Sequence, residues 1–273
     1  MAKSYVREQR HICGEYYQEV DIYTVSAAEH AMSTRAKKKA ASRLVQQNLN
    51  DKNARRHLVQ LLNTNFVGVG ALHVSLTYTD SNLPASPEAA EHDLDLWLRR
   101  VARALKKKGA DQDKYIAVME YREEGGELAV RYHHHVVILC DLERDELEEL
   151  WRKPGRLKAG EQPELLGFVN ADRIQSEQGS LEQLAEYLTK YPKRKHRWKY
   201  SRGLKQPERP RPNDYKYTRR SVEKLVRERL DSREFWEKQY PGYFLRAAKA
   251  EWNEYNGWHV TVQLWKPAPR LKC

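Results

Sequence analysis

The chain has 273 residues, 40% apolar and 10% aromatic, with 49 Lys and Arg against 38 Asp and Glu for a formal charge of +11. That length suffices for one large domain or two small ones around a real core, and the composition excludes wholesale disorder, a collagen-like chain and a coiled coil. No apolar run approaches the roughly 20 residues that span a bilayer, the N-terminus has no signal-peptide apolar region, and Cys13, Cys140 and Cys273 lack the spacing of a disulfide framework or a cysteine zinc site, so a soluble cytoplasmic protein with no membrane partner is expected.

In chain order, residues 1–66 read as an N-terminal extension: a short aromatic opening (Tyr16, Tyr17, Tyr23), a helix near 26–48, and a second helix capped at Asn50 or Asp51 and ending near Leu62. Leu72, Val74, Leu76 and Tyr78 alternate with His73, Ser75, Thr77 and Thr79, the two-residue period of a half-buried strand. Ser86-Pro87-Glu88 is a helix start. Leu94, Trp97, Val101 and Leu105 mark one face of that helix up to Lys106–Lys108, with Gly109 as its stop. Tyr115–Glu123 and Val130–Cys140 read as strands joined across Gly125-Gly126, followed by a helix at about 143–151 and a strand at 165–173. Ser180 and Gln183 have capping-box spacing and open a helix to Tyr191. The order over 71–191 predicts an α+β fold, a split βαβ, ferredoxin-like (RRM-like) antiparallel sheet with packed helices. Further on, 218–239 reads as one helix, and Asn256-Gly257 as a type I′ turn between two strands, the second carrying Trp258, Val260, Val262 and Leu264.

Charge is unevenly placed. Residues 67–187 hold 15 basic and 23 acidic side chains, whereas 188–233 hold 17 basic and 5 acidic, with Tyr191, Trp198, Tyr200, Tyr215 and Tyr217 among the cations. Cations neutralise phosphates and aromatic faces stack on bases, so Lys193, Arg194, Lys195, Arg197, Trp198, Lys199, Arg202 and Lys205 are candidate contacts to single-stranded or junction DNA.

Two constellations could carry chemistry. On a strand, His133 and His135 share one face and His134 takes the other. Two imidazoles on one face are two arms of a metal site. Glu120, in the preceding strand, joins their face if its opposite residue is odd-numbered. A two-residue turn at Gly125-Gly126 would set it opposite Arg131, diagonal to His133. One carboxylate and two imidazoles leave positions open for water and phosphate oxygens on Mg²⁺ or Mn²⁺. In the later helix, Tyr187 and Tyr191 lie about 40° apart at the border of the apolar face, with Lys190 roughly 60° further toward the polar side. A phenol with a pKa near ~10 needs cationic help to attack at neutral pH, which a metal-polarised phosphodiester and Lys190 would supply.

The ordered set, an apolar and Thr-bearing first strand (Leu76-Thr77-Tyr78), an H-x-H strand preceded by a Glu strand, and a later Tyr-x-x-Lys-Tyr helix, resembles the HUH endonucleases. More closely it resembles the rolling-circle replication initiators of bacterial plasmids and small single-stranded DNA phages. Lys38–Phe66 and Ser201–Pro207 also look like segments of that group. The resemblance implies that Glu120, His133 and His135 bind Mg²⁺ or Mn²⁺, and that Tyr187 attacks to give a 5′-phosphotyrosine and a free 3′-OH. It implies too that Lys190 orients the phosphate and that Tyr191 occupies the second-tyrosine position. The catalytic domain would be 67–192, with 193–273 a basic DNA-binding segment ending in a helix and hairpin. No G-x-x-x-x-G-K-[ST] occurs, so a host helicase would separate strands and a host polymerase extend the 3′ end. The competing readings are a transposase or relaxase with the same chemistry, and a non-catalytic DNA-binding protein in which these residues merely pack. A zinc deaminase lacks its cysteine pair, and an RNA-recognition sheet its aromatic motif.

Overall fold

The computed structural model describes residues 4–25, 43–110, 114–122, 130–155, 160, 164–174, 181–188, 198–254 and 256–268. It is a mixed α+β structure with two antiparallel sheets in two compact units, one of residues 1–64, 176–181 and 205–269, the other of 65–175, 182–204 and 270–273. No helix among the described residues is long and apolar enough to cross a membrane.

The first unit begins with strands, not helix. β1 (Tyr5–Cys13) and β2 (Tyr17–Val25) form a hairpin, and β2 pairs in turn with β9 (Gly257–Trp265) and β9 with β8 (Phe244–Asn253), giving the order β1-β2-β9-β8. The expected N-terminal helical extension and C-terminal hairpin therefore share one sheet. Tyr17, Val20 and Ile22 are fully buried in β2, a strand whose two faces are both covered, and its near-continuous burial hides the simple alternation a sequence reading looks for. The expected helix at 26–48 lies mostly outside the described residues. The expected break at Asn50 or Asp51 is absent, since α1 runs unbroken over Arg43–Asn65 and carries both on its polar side. On the open edge of β1, Glu8 and Ile12 exchange backbone hydrogen bonds of 2.8–3.0 Å with Asn213 and Glu208, so the proline-dotted stretch covers the edge where another chain could add a strand. The apolar core joins Val6, Val20, Ile22, Val260, Val262 and Leu264 to Val222, Leu225, Trp236 and Tyr240. The last four come from two helices, α5 (Arg219–Glu228) and α6 (Arg233–Gln239), where one was expected. Ser232 caps α6 by accepting from Phe235 N, which ends the continuity. Asn253 pairs with Gly257, which sits at φ 75°, so the connection is longer than a two-residue type I′ turn.

In the second unit the sheet order is β6-β3-β5-β4-β7, with β3 Leu72–Leu76, β4 Lys114–Arg122, β5 Val130–Leu139, β6 Val169–Arg173 and β7 Lys199–Tyr200. The long helix α2 (Pro87–Lys108) follows its sequence signals closely. The Ser86 hydroxyl accepts from Ala89 N, Pro87 opens the first turn, and Gly109 closes the helix in the left-handed conformation at φ 68°. Leu94, Trp97, Val101 and Leu105 pack against Val74, Leu76, Ala117, Val136 and Ile138. A short α3 (Arg144–Glu149) adds Leu147, whose carbonyl accepts from the Trp97 indole. The helix α4 is described over Glu182–Leu188; Ser180 and the expected continuation to Tyr191 lie outside the described residues.

Candidate active site

The metal-type cluster is built by strand period and strand pairing. In β5, Val136 and Ile138 face α2, so the two-residue period turns His134 to the same side and His133 and His135 to the other. His134 is fully buried, its Nε2 3.1 Å from the Tyr78 hydroxyl and its ring edge-on to Trp151. Burial, and then the neighbouring His133 and His135, push its pKa down to about 3, so it is a neutral packing residue.

Glu120 of β4 stands directly opposite His133, not opposite Arg131 as a two-residue turn would dictate. The next registered pair is Arg122 with Val130, so Arg131 and Tyr132 oppose the single residue Tyr121. This bulge shifts the register by one residue beyond Glu120. The expected odd-numbered partner is kept, and Glu120 moves closer to the histidines than expected. Its Oε2 lies 3.2 Å from His133 Nε2 and 3.5 Å from His135 Nε2, and the donor atoms of all three residues fall within 4.8 Å of one another.

Both rings present Nε2 inward because Nδ1 is engaged elsewhere. His133 Nδ1 lies 2.8 Å from the Arg131 carbonyl, to which it can only donate, leaving Nε2 as a lone-pair donor. His135 Nδ1 lies 3.3 Å from Ser75 Oγ of β3. Its Nε2 is buried without a hydrogen bond, and burial, His133 and His73 hold the ring neutral, its pKa down to about 3. An orphaned, buried, neutral imidazole nitrogen beside a carboxylate fits a divalent metal ligand. His73, also on β3, stacks on His135 with ring centroids 5.3 Å apart. Tyr187 of α4 stands edge-on to the other side of that ring at 4.8 Å and is 46% exposed, so its phenol shares the face of the cluster while remaining accessible. Ser75 and His73 were not among the sequence candidates. Their alternation put them on one face of a strand, but nothing local says that this strand lies beside the H-x-H strand.

Other sequence candidates are dispersed. Lys190, Tyr191, Lys193, Arg194, Lys195 and Arg197 lie outside the described residues. Trp198 is half-buried. Lys199 sits in β7 and donates to Asp95 of α2, while Arg202 and Lys205 are exposed and belong to different units.

Residues 71–196, the span that carries the cluster and α4, match the family model of Replication-associated protein ORF2. This is a family of rolling-circle replication initiators. No curated protein and no solved structure matched the chain significantly. The family match assigns the chain a role in replication initiation, with DNA as its partner and activity of the nuclease type. It falls on the unit that holds Glu120, His133 and His135.

Proposed function

We propose that the chain is an HUH endonuclease that nicks and rejoins one DNA strand at a replication origin through a 5′-phosphotyrosine, and so starts rolling-circle replication. The observation that carries this reading is Tyr187 edge-on to His135 within the Glu120, His133, His135 cluster. The sheet order β6-β3-β5-β4, read with the intervening helices, agrees with a ferredoxin-like HUH core over 67–192.

Glu120, His133 and His135 would hold Mg²⁺ or Mn²⁺, which when bound polarises the scissile phosphate. Tyr187 Oη forms the bond to phosphorus while the P–O3′ bond breaks. The phenolic proton passes to solvent, and the departing 3′ oxygen takes a proton to become the 3′-OH that a host polymerase extends. Lys190 balances phosphate charge. Rejoining runs the step backward: a 3′-OH attacks the phosphotyrosine and the phenol is released. Tyr191, in the second-tyrosine position, would let nucleophiles alternate between initiation and termination. Strand separation would fall to a host helicase.

A denaturing gel tests the reading. Purified chain is mixed with single strands and hairpins from its own replicon, with Mn²⁺ or with EDTA, beside Tyr187→Phe and Tyr191→Phe. The expected product is a metal-dependent covalent adduct, lost in Tyr187→Phe and retained in Tyr191→Phe. Loss in Tyr191→Phe alone would move the nucleophile. The absence of any adduct, with binding confirmed, would leave a non-catalytic DNA-binding protein.

A further inference from the structure

The last three turns of α2, Arg99 to Lys108, hold six cations and no acid, within a stretch (67–187) that is otherwise rich in acids. Two of the six are occupied inside the unit. Arg100 donates to the Leu150 and Arg152 carbonyls at 3.0 and 2.6 Å, and Lys108 donates to Glu146 at 2.6 Å. Arg99, Arg103, Lys106 and Lys107 are exposed and have no hydrogen-bond or ion-pair partner among the described residues. The helix dipole favours cations in the last turn, which accounts for Lys106 and Lys107 but not for Arg99 and Arg103 further back. Arg99, Arg103 and Lys106 lie within about 60° of one another on the helix and span about 10 Å, the length of about three nucleotides along one strand of a duplex.

Arg99 also walls a groove of about 480 Å³, lined besides by Asp95, Ala102, Tyr115, Lys199 and Arg202. Lys199 is tied to Asp95 within it, whereas Arg202, after β7, is exposed and without a partner among the described residues. Two free guanidinium groups thus face each other across a cleft with one neutralised ion pair. The helix α2 packs on the sheet face that carries Ala117 and Val136, so the groove is on the side away from Glu120, His133 and His135.

We propose that this groove and the cationic stripe of α2 form a second DNA-contact track that grips the phosphodiester backbone, separate from the nicking site. The planar guanidinium fork suits two phosphate oxygens at once, and a net positive cleft in an acidic region selects a polyanion over neutral ligands.

The test uses the full chain carrying Tyr187→Phe, in EDTA, so that no nicking enters the readout. Binding of labelled duplex and single-stranded DNA is followed by fluorescence anisotropy across a salt series, with and without the added set Arg99→Gln, Arg103→Gln and Arg202→Gln. The expected result is a log–log salt slope shallower by about 3 for duplex and about 2 for single strand, and a dissociation constant raised about tenfold or more. An unchanged slope and affinity overturn the proposal. Independently of any variant, modification of the unaltered chain by phenylglyoxal, mapped by mass spectrometry, should slow at Arg99, Arg103 and Arg202 when DNA is present. Equal rates with and without DNA overturn it, as does protection by polyglutamate but not by DNA, which would give the groove to an acidic protein. Failure here leaves the adduct assay untouched, and failure of the adduct assay leaves this track intact.

Discussion

His134 and His135 are adjacent, equally unfavourable to charge, and put to opposite uses by the period of one strand. His134 is packed against Tyr78 and Trp151 and keeps its ring neutral down to about pH 3 because burial and two histidine neighbours oppose protonation. In the unfolded chain the same ring takes a proton below about pH 6.5. Between these values the unfolded chain binds more protons than the folded one, so stability is lost as pH falls from 6.5 toward 3, by up to about 1.4 kcal/mol per pH unit from this group. Urea unfolding in EDTA from pH 7 to 4 should show that slope, and His134→Gln should flatten it by about one proton. At the metal-type cluster, Glu120→Gln keeps the side chain's size but removes its anionic oxygen; Mn²⁺ affinity read by electron paramagnetic resonance should fall at least about 100-fold. Ser75→Ala, which frees His135 Nδ1, should weaken the same binding by about tenfold, the usual effect of losing a group that orients a ligand. An unchanged affinity in both variants would remove the ion from Glu120.

Elements whose ends are set by local chemistry were legible in the sequence. The Ser86-Pro87 start and Gly109 stop of α2 depend only on nearby donors, acceptors and φ angles, and the structure has them where the sequence puts them. Elements set by their neighbours were not. β2 is covered on both faces, β7 is two residues long, and the α5–α6 break rests on a single serine cap. The close approach of β3 to the segment before β6 is another such feature. A Cβ on Gly167 would sit 2.2 Å from the Thr77 carbonyl oxygen and 2.7 Å from Tyr78 Cα. That contact lets Thr77 and Thr79 donate from their backbone N–H to the Phe168 and Leu166 carbonyls at 3.0 and 2.9 Å. Gly167→Ala must push these backbones apart, so the expected loss is about 2 kcal/mol or more in chemical denaturation, the range of an overpacked site. A loss under about 0.5 kcal/mol would show that the segment yields easily.

On the scale of the whole chain, the ends that looked like separate extensions form one sheet, and its polar side carries a charge cluster no motif announces. Arg56 of α1 donates to Glu19 at 2.6 Å and to Asp21 at 2.8 Å, and Asp21 also meets His11 and His259 at 3.1 and 3.2 Å. Burial by itself would raise the Asp21 carboxyl, but the two histidines and Arg56 outweigh it and hold it well below the usual carboxylate range. Arg56→Ala would strand two buried carboxylates, and about 3 kcal/mol should be lost from this unit, with Arg56→Lys recovering part of it, measured by urea unfolding at pH 7. The sequence by itself determined the facing of the H-x-H pair, the parity that admits Glu120, the order of strands and helices over 71–188 and the bounds of α2, because period and capping act over a few residues. Only the tertiary structure decided that Glu120 stands opposite His133, that β3 brings Ser75 and His73 against His135, and that the first and last strands share a sheet. Register across a bulge and pairing between distant strands depend on which surfaces bury each other, and no local pattern in the chain encodes that.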